Sequence, residues 1–298
     1  MAQAYTHLRI ARAALAAEDA NAVANAAFLM GANGPDPLFA DRLLQKNKQQ
    51  PLAPIGARMH REACGAFLLA LLETAKTSTQ RDYARGFLTH YATDTVFHPY
   101  IAAQSGSGGA FDRPQGHGFC EAALDTCFCA MDTGCASVSM DAAAPKISAP
   151  ELAEIVSLLR RCIATVYGET LSVTNLCNAF HAFRAAQWFF CSPAGGKRSL
   201  AAIVENFVLH KDGYLRSHMT PAPMPRGGFA AEWTAPDTGE KINAGPNALA
   251  MQAVRQAGIY LRAADCFWAG SADAARLLKC IGNKSYSTGN SLENETHL

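Results

Sequence analysis

The sequence predicts an all-α protein, a multi-helix bundle. Three observations carry that reading. Long runs of good helix formers repeat along the chain with apolar residues at helical spacing. The breaks between these runs are made by Gly and Pro. No stretch of alternating β-branched residues rivals the helical runs.

The elements follow in order. Thr6 to Ala17 is rich in Ala, Leu and Arg and reads as the first helix, and Asp19 to Met30 continues in the same style. GANGPDP, residues 31–37, breaks it. Pro51 and Pro54 mark a further turn. Arg58 to Lys76 reads as one long helix whose apolar face holds Cys64, Phe67, Leu68, Leu71 and Leu72. The next helix starts near Thr79 and runs through Tyr83, Phe87 and Tyr91. Pro99 disfavours helical geometry at the residue before it, which places the end at His98. SGSGG, residues 105–109, is a loop, and His117 to Ala130 is helical again.

Further along, Ser148 and Pro150 start a helix that reaches Tyr167. Thr174 to Trp188 is another, ended by SPAGGK, with Trp188, Phe189 and Phe190 read as core. Leu200 to His210 is helical or mixed. Residues 220–242 are rich in Pro and Gly and read as a long loop. Asn247 to Phe267 and Ala272 to Cys280 are the last helices. We expect one domain over residues 1–285 and a polar tail over 286–298. GNKSYSTGN, residues 282–290, which leads into it, also reads most simply as polar tail, with Tyr286 a candidate for reaching a cleft.

Composition narrows the class. The chain has 298 residues, 49% hydrophobic and 17% charged, which suits a globular protein with a large core. A net charge of +1 does not favour a long polyanion, so nucleic acid is not the expected partner. No apolar run reaches the roughly 18 residues of a membrane span. The start, MAQAYTHLRIARAAL, lacks a basic leader with an apolar core, so a cytoplasmic protein is expected. Without a leader the ten Cys are expected reduced, most of them as small buried hydrophobes.

Chemistry concentrates in one window. HYATDTVFHP, residues 90–99, sets His90, Asp94 and His98 four apart, and HGFCEAALD repeats the interval with His117, Glu121 and Asp125. Residues four apart share a helix face, each about 6 Å further along the axis. Three of the nine His fall in these two segments with three carboxylates, the composition of a multi-metal site. Three ligands spread over about 12 Å of helix cannot serve one ion. They can serve two if the central carboxylate, Asp94, bridges or if the end residue turns away from the stripe. His98 then meets a second ion, completed by the pair His117 and Glu121. His7, Asp36 and His60 are further candidates, and Asp125 is read as an outer or surface carboxylate.

The set resembles a known family. HLRIA at 7–11, FLMGANGPDPLF at 28–39, MHR at 59–61, GFLTHYATDTVFHPYI at 86–101 and HGFCEAALD at 117–125 look like the zinc-dependent phospholipase C family. That family is similar to the P1 nucleases in fold and metal cluster. The resemblance implies an all-α bundle with two or three Zn2+ ions and phosphodiester hydrolysis. It implies one ion held by Asp36, His60, His90 and Asp94, and a second by His98, His117 and Glu121. It implies a third held by His7 and a bridging Asp94. It also implies a catalytic Asp36, placed to orient or deprotonate the attacking water. Secreted members complete the third site with a mature N-terminal Trp. Here six residues precede His7 and none is Trp, so the expected third ion has His7 as its only N-terminal ligand.

The expected function is a zinc-dependent phosphodiester hydrolase of the phospholipase C type, its substrate a phosphoester such as a phospholipid headgroup. The alternatives are a nuclease or small phosphoester hydrolase on the same scaffold, and a non-catalytic metal-stabilised binding protein. No G-x-S-x-G elbow or P-loop competes. His181, His210 and His218 have no carboxylate at helical spacing and read as structural or surface residues.

Overall fold

The structure, a computed structural model, describes residues 4–40 and 51–292. Twelve α-helices account for most of these residues, with one two-stranded hairpin. In chain order they are α1 (Ala4–Glu18), α2 (Ala26–Gly31), α3 (Ala53–Met59), α4 (Cys64–Thr74), α5 (Ser78–Ser105) and α6 (Gly116–Thr133). There follow α7 (Met140–Ala143), α8 (Ala149–Tyr167), α9 (Val173–Phe190), α10 (Gly196–Val204), α11 (Pro246–Trp268) and α12 (Ala274–Ile281). The all-α reading therefore holds. None of the helices is long and apolar enough to cross a membrane.

The axis of the fold is α5, a 28-residue helix about 42 Å long. It packs against α2, α11, α6, α1 and α8. Tyr83, Phe87, Tyr91, Phe97 and Tyr100 project from it and are fully buried. The crossing with α2 is unusually close. A Cβ on Gly86 would lie 1.9 Å from the Phe28 carbonyl oxygen, and one on Gly31 would lie 2.1 Å from that of Tyr83. Only the two missing side chains let the backbones meet there.

Six expectations need correction. The helix does not stop at His98 but runs through Pro99 to Ser105. An interior proline removes the bond to the carbonyl four residues back and costs about 3 kcal/mol. Phe97, Tyr100 and Ile101, all fully buried, outweigh that loss, and Gly289 packs over the freed Thr95 carbonyl. The run Asp19–Met30 is helical only from Ala26 to Gly31. Asp19 accepts the Asn21 N–H and Asn25 caps α2 through the Phe28 N–H, side-chain bonds that compete with helix.

The run Arg58–Lys76 is two helices, α3 and α4, parted at residues 60–63 where Ala63 adopts φ 47°. The C-terminal segment satisfies the break. Asn283 accepts the Gly65 N–H, and the Tyr286 N–H donates to the His60 carbonyl. Within the expected loop 220–242, β1 (Glu232–Thr234) pairs antiparallel with β2 (Lys241–Asn243). Its Trp233 is buried edge-on to Tyr100 and donates to the Ala244 carbonyl.

The segment from residue 286, read as the start of a polar tail, begins with a ring that is fully buried. Tyr286 belongs to the same connected core as Tyr5 and Leu8. A second, small core lies apart: Ala186, Phe190, Ala201 and Met219 join α9 to α10. Trp188, read as core, is instead 59% exposed, because α9 turns only its other side to that cluster.

Candidate metal centre

Five elements bring the eight predicted ligands together. His7 comes from α1, Asp36 from the 3₁₀ turn Asp36–Ala40, and His60 from the residue that ends α3. His90, Asp94 and His98 form the stripe on α5, and His117 and Glu121 the pair on α6. Asp94 is at the centre. Its Oδ2 faces His90 Nε2 at 3.0 Å and His60 Nε2 at 3.6 Å. Its Oδ1 faces His7 Nε2 at 3.3 Å and His98 Nε2 at 3.7 Å. One carboxylate thus divides four imidazoles into two pairs. Asp36 Oδ1 lies 3.6 Å from His60 Nε2. Glu121 Oε1 lies 3.1 Å from His117 Nε2 and 3.7 Å from His98 Nε2.

Backbone carbonyls aim three of the rings. His60 Nδ1 donates to Gly56 at 2.7 Å, His90 Nδ1 to Ala32 at 3.2 Å and His98 Nδ1 to Tyr286 at 2.8 Å. Each bond fixes the tautomer and leaves Nε2 free as a ligand atom. The GANGPDP loop presses on the same rings. Gly34 sits at φ 51°, and a Cβ there would fall 2.2 Å from the His90 ring. His7 stacks on His90 with centroids 4.3 Å apart. Tyr286 lies beneath, 5.2 Å from the His60 ring and 5.8 Å from that of His90.

This donor set fits cations. His90 Nε2, His7 Nδ1 and both oxygens of Asp94 are buried and have no hydrogen-bond partner among the described residues. Buried polar atoms left in that state are costly and rare. Imidazole nitrogen with carboxylate oxygen is what zinc takes. Three groupings lie close enough to hold an ion: His7, Asp36 and His90; His60, His90 and Asp94; and His98, His117 and Glu121. The last is the most open, since the His117 side chain is 52% exposed.

The electrostatics of the metal-free cluster favour the ligand form at Asp94 and His7 and oppose it at His98. Burial would raise the Asp94 carboxyl, but His90, His98 and His7 hold it well below the usual range. Burial, helped by the neighbouring His90, lowers His7 to about 3. Burial would lower His98 as well, yet Asp94 and Glu121 raise it to about 9. A neutral His7 and an ionised Asp94 are the forms that bind metal.

Asp125 is buried rather than at the surface. It accepts the N–H of Tyr5 at 3.1 Å, the N–H of Thr6 at 2.9 Å and the Thr6 hydroxyl at 2.6 Å. It therefore fastens the start of α1, and with it His7, to α6.

The cluster floors a cleft of about 490 Å³. Phe39, Phe190, Tyr214 and Leu215 give it apolar walls, and Arg61, Gln115 and His218 add polar groups. His218, read as structural or surface, stands at this wall, and burial pushes it down to about 4. It has no partner at helical spacing because it sits in a 3₁₀ turn that packs on α6. Nothing in the sequence pattern marked it. His181 and His210 are exposed.

The family model for zinc-dependent phospholipase C matches residues 6–177, more than half of the chain and all eight candidate ligands. The chain belongs to the zinc-dependent phospholipase C family. Among curated proteins and solved structures no match was found. The matched region of this phospholipase C family chain ends within α9, so the wall formed by Phe190, Tyr214, Leu215 and His218 lies beyond it.

Proposed function

We propose that the protein is a zinc-dependent phosphodiester hydrolase of the phospholipase C type, working with two or three ions. The observation that carries this reading is Asp94, a buried carboxylate with two imidazoles on each oxygen and no hydrogen-bond partner for either among the described residues. Asp36, His60, His90 and Asp94 would hold one ion, His98, His117 and Glu121 a second, and His7 with Asp94 a third. Bound zinc supplies a Lewis acid that neutralises phosphate oxygens and lowers the pKa of water.

The remaining work falls to the chain's own residues. Asp36 lines the cleft and is 7% exposed, so its carboxylate can orient the attacking water and accept its proton. Carbonyls of Gly56, Ala32 and Tyr286 keep His60, His90 and His98 from turning away. Phe39, Phe190 and Leu215 exclude bulk water from the phosphate and offer contact to an apolar substituent. A phospholipid headgroup with its acyl glycerol matches that pairing of a polar floor with apolar walls.

The test is turnover of a chromogenic phosphodiester and of a short-chain phosphatidylcholine by zinc-loaded protein. Hydrolysis should vanish with a chelator and return with zinc. Asp36→Asn should lower kcat about a hundredfold or more. Protein that holds two ions yet turns over neither substrate would overturn the proposal in favour of a metal-stabilised binding protein.

A further inference from the structure

The stretch from Trp188 to Lys211 buries Phe190 and Ala201 but carries most of its other large apolar side chains on the outside. Leu200, Ile203 and Phe207 are 55%, 56% and 75% exposed, and Val208 is 68% exposed. Positions 200, 203 and 207 share one stripe of α10 and of the π-helical turn, Glu205–Leu209, that prolongs it. The opposite stripe, Ala201 and Glu205, is fully buried. A surface helix normally turns its apolar stripe inward, and this one is reversed.

The reversal is fixed by polar bonds. The Glu205 carboxylate accepts the N–H groups of Gly213 at 3.1 Å, Arg216 at 2.6 Å and Leu215, and pairs with the Arg216 guanidinium. Those bonds tie the π-helical turn to the segment that carries Tyr214, Leu215 and His218 to the cleft. Phe190 and Leu215 line the cleft and also pack in or against the small core under α10. The exposed stripe therefore lies over one wall of the candidate site.

The exposed formal charges from residue 188 to 211 are both positive, and the flanking Asp212 is taken up by Arg113 and Arg216. Between residues 188 and 211 the charged residues are Lys197, Arg198, Glu205 and Lys211. Glu205 is buried, and Arg198 turns its guanidinium to the carbonyls of Arg216, Met219 and Pro221. The other two are lysines beside aromatic rings, Lys197 over Trp188 at 3.8 Å and Lys211 at 5.3 Å from Tyr214. An aliphatic stripe edged by aromatic rings and then by cations matches the polarity profile of a lipid surface.

We propose that α10 and its π-helical turn dock the protein on an anionic lipid surface. Leu200, Ile203, Phe207 and Val208 enter the acyl boundary, and Lys197 and Lys211 meet the headgroups. The cleft wall next to this face then lies close to the lipid. The proposal rests on the reading above only for the lipid as substrate; the surface itself is tested without catalysis.

The experiment is co-sedimentation of full-length, zinc-loaded protein with vesicles of phosphatidylcholine and phosphatidylglycerol in equal parts, and with phosphatidylcholine alone. We expect binding to the anionic vesicles, a blue shift of tryptophan emission, and weakening by salt. Ile203→Asp and Phe207→Asp should each lower the partition coefficient about tenfold or more. Lys197→Ala with Lys211→Ala should remove the preference for anionic vesicles. Val23→Asp, at a residue 85% exposed elsewhere, should change nothing. All five substitutions lie on the surface, and matching melting curves check the fold. Turnover of a soluble phosphodiester should be unchanged in each.

Vesicle binding without any turnover would keep this surface and sink the catalytic reading. Turnover without vesicle binding would do the reverse. A dimer in solution that Phe207→Asp dissolves, with no vesicle binding, would overturn the proposal and assign the face to contact between copies.

Discussion

The carbonyl of Tyr286 accepts a hydrogen bond from His98 Nδ1 at 2.8 Å, across 188 residues of chain. The ring of Tyr286 packs on His60, His90 and Tyr91, and its N–H holds the His60 carbonyl. A segment remote from every candidate ligand thus aims two of them. Tyr286→Ala should cost about 3–5 kcal/mol of stability, as for other large buried rings. It should also loosen zinc binding. The Tyr286 hydroxyl is buried with no hydrogen-bond partner among the described residues, so Tyr286→Phe should match or exceed the parent. Chemical denaturation of both variants, with and without zinc, checks this; a Phe variant as weak as the Ala variant would contradict it.

Asp94 and Asp125 should separate cleanly. Asp94→Asn removes the charge that four imidazoles face, so metal content should fall by more than one ion and activity should disappear. Asp125→Asn keeps one acceptor for the start of α1. It should lose about 1–2 kcal/mol while holding its zinc. Elemental analysis beside thermal melts decides the matter, and equal zinc in the two variants would rule out a bridging Asp94.

Acidity should act differently on the metal-free and loaded forms. In the metal-free protein Asp94 and Glu121 outweigh burial and raise His98 from 6.5 to about 9. The folded state then binds a proton that the unfolded state releases. This stabilises the protein fully below pH 6.5 and is lost as pH rises through 9, by roughly 3 kcal/mol at most. Zinc needs the neutral ring, so its stabilisation should grow over the same window. Melting temperatures at pH 6.5 and 9, with zinc and with a chelator, read both trends. A metal-free protein that gains stability between those pH values would refute the account.

Ions should leave in order. The His117 side chain is 52% exposed, whereas those of His90 and Asp94 are 0% and 2% exposed. Chelator titration should remove the ion of His98, His117 and Glu121 before the one held by Asp36, His60, His90 and Asp94. His117→Ala should delete that first step and leave the later one intact. Release of all ions in one step by the parent protein would show a single coupled cluster instead.

The clamp at Glu205 is open to test as well. Glu205→Ala removes the acceptor of three backbone N–H groups and of Arg216 Nε, while the Arg216 guanidinium keeps Asp212. The expected cost is roughly 2–4 kcal/mol, since Arg216 is partly exposed. Hydrogen exchange should quicken over residues 205–218 and stay slow in α5. Uniform loss of protection would mean that the segment is no separate unit.

What was legible in the sequence was local. The interval of four from His90 to His98 needs only helix geometry, and α5 delivers it. Ser148 and Glu151 form a capping box, which is why the start of α8 was readable. The failures are tertiary. Pro99 ends helices in isolation, but buried neighbours on both sides override it. The break at residues 60–63 is held by Asn283 and Tyr286, more than two hundred residues away. His60 was found because the family pattern names it, and its ring is aimed by that break. His218 and the cleft wall depend on how α9 and the 3₁₀ turn Arg216–His218 settle against α6, which no short motif encodes.

The crossing at Gly31 and Gly86 reaches further than packing. Ala32, one residue beyond Gly31, supplies the carbonyl that orients His90, and His90 lies one turn after Gly86. The two backbones can close only while both positions lack a side chain. A single methyl group at either would pry α2 from α5 and swing the carbonyl off the imidazole. These glycines bind no ion and touch no substrate, yet they act as the fulcrum of the coordination sphere. Inactivating substitutions in this protein should therefore include positions with no chemistry of their own.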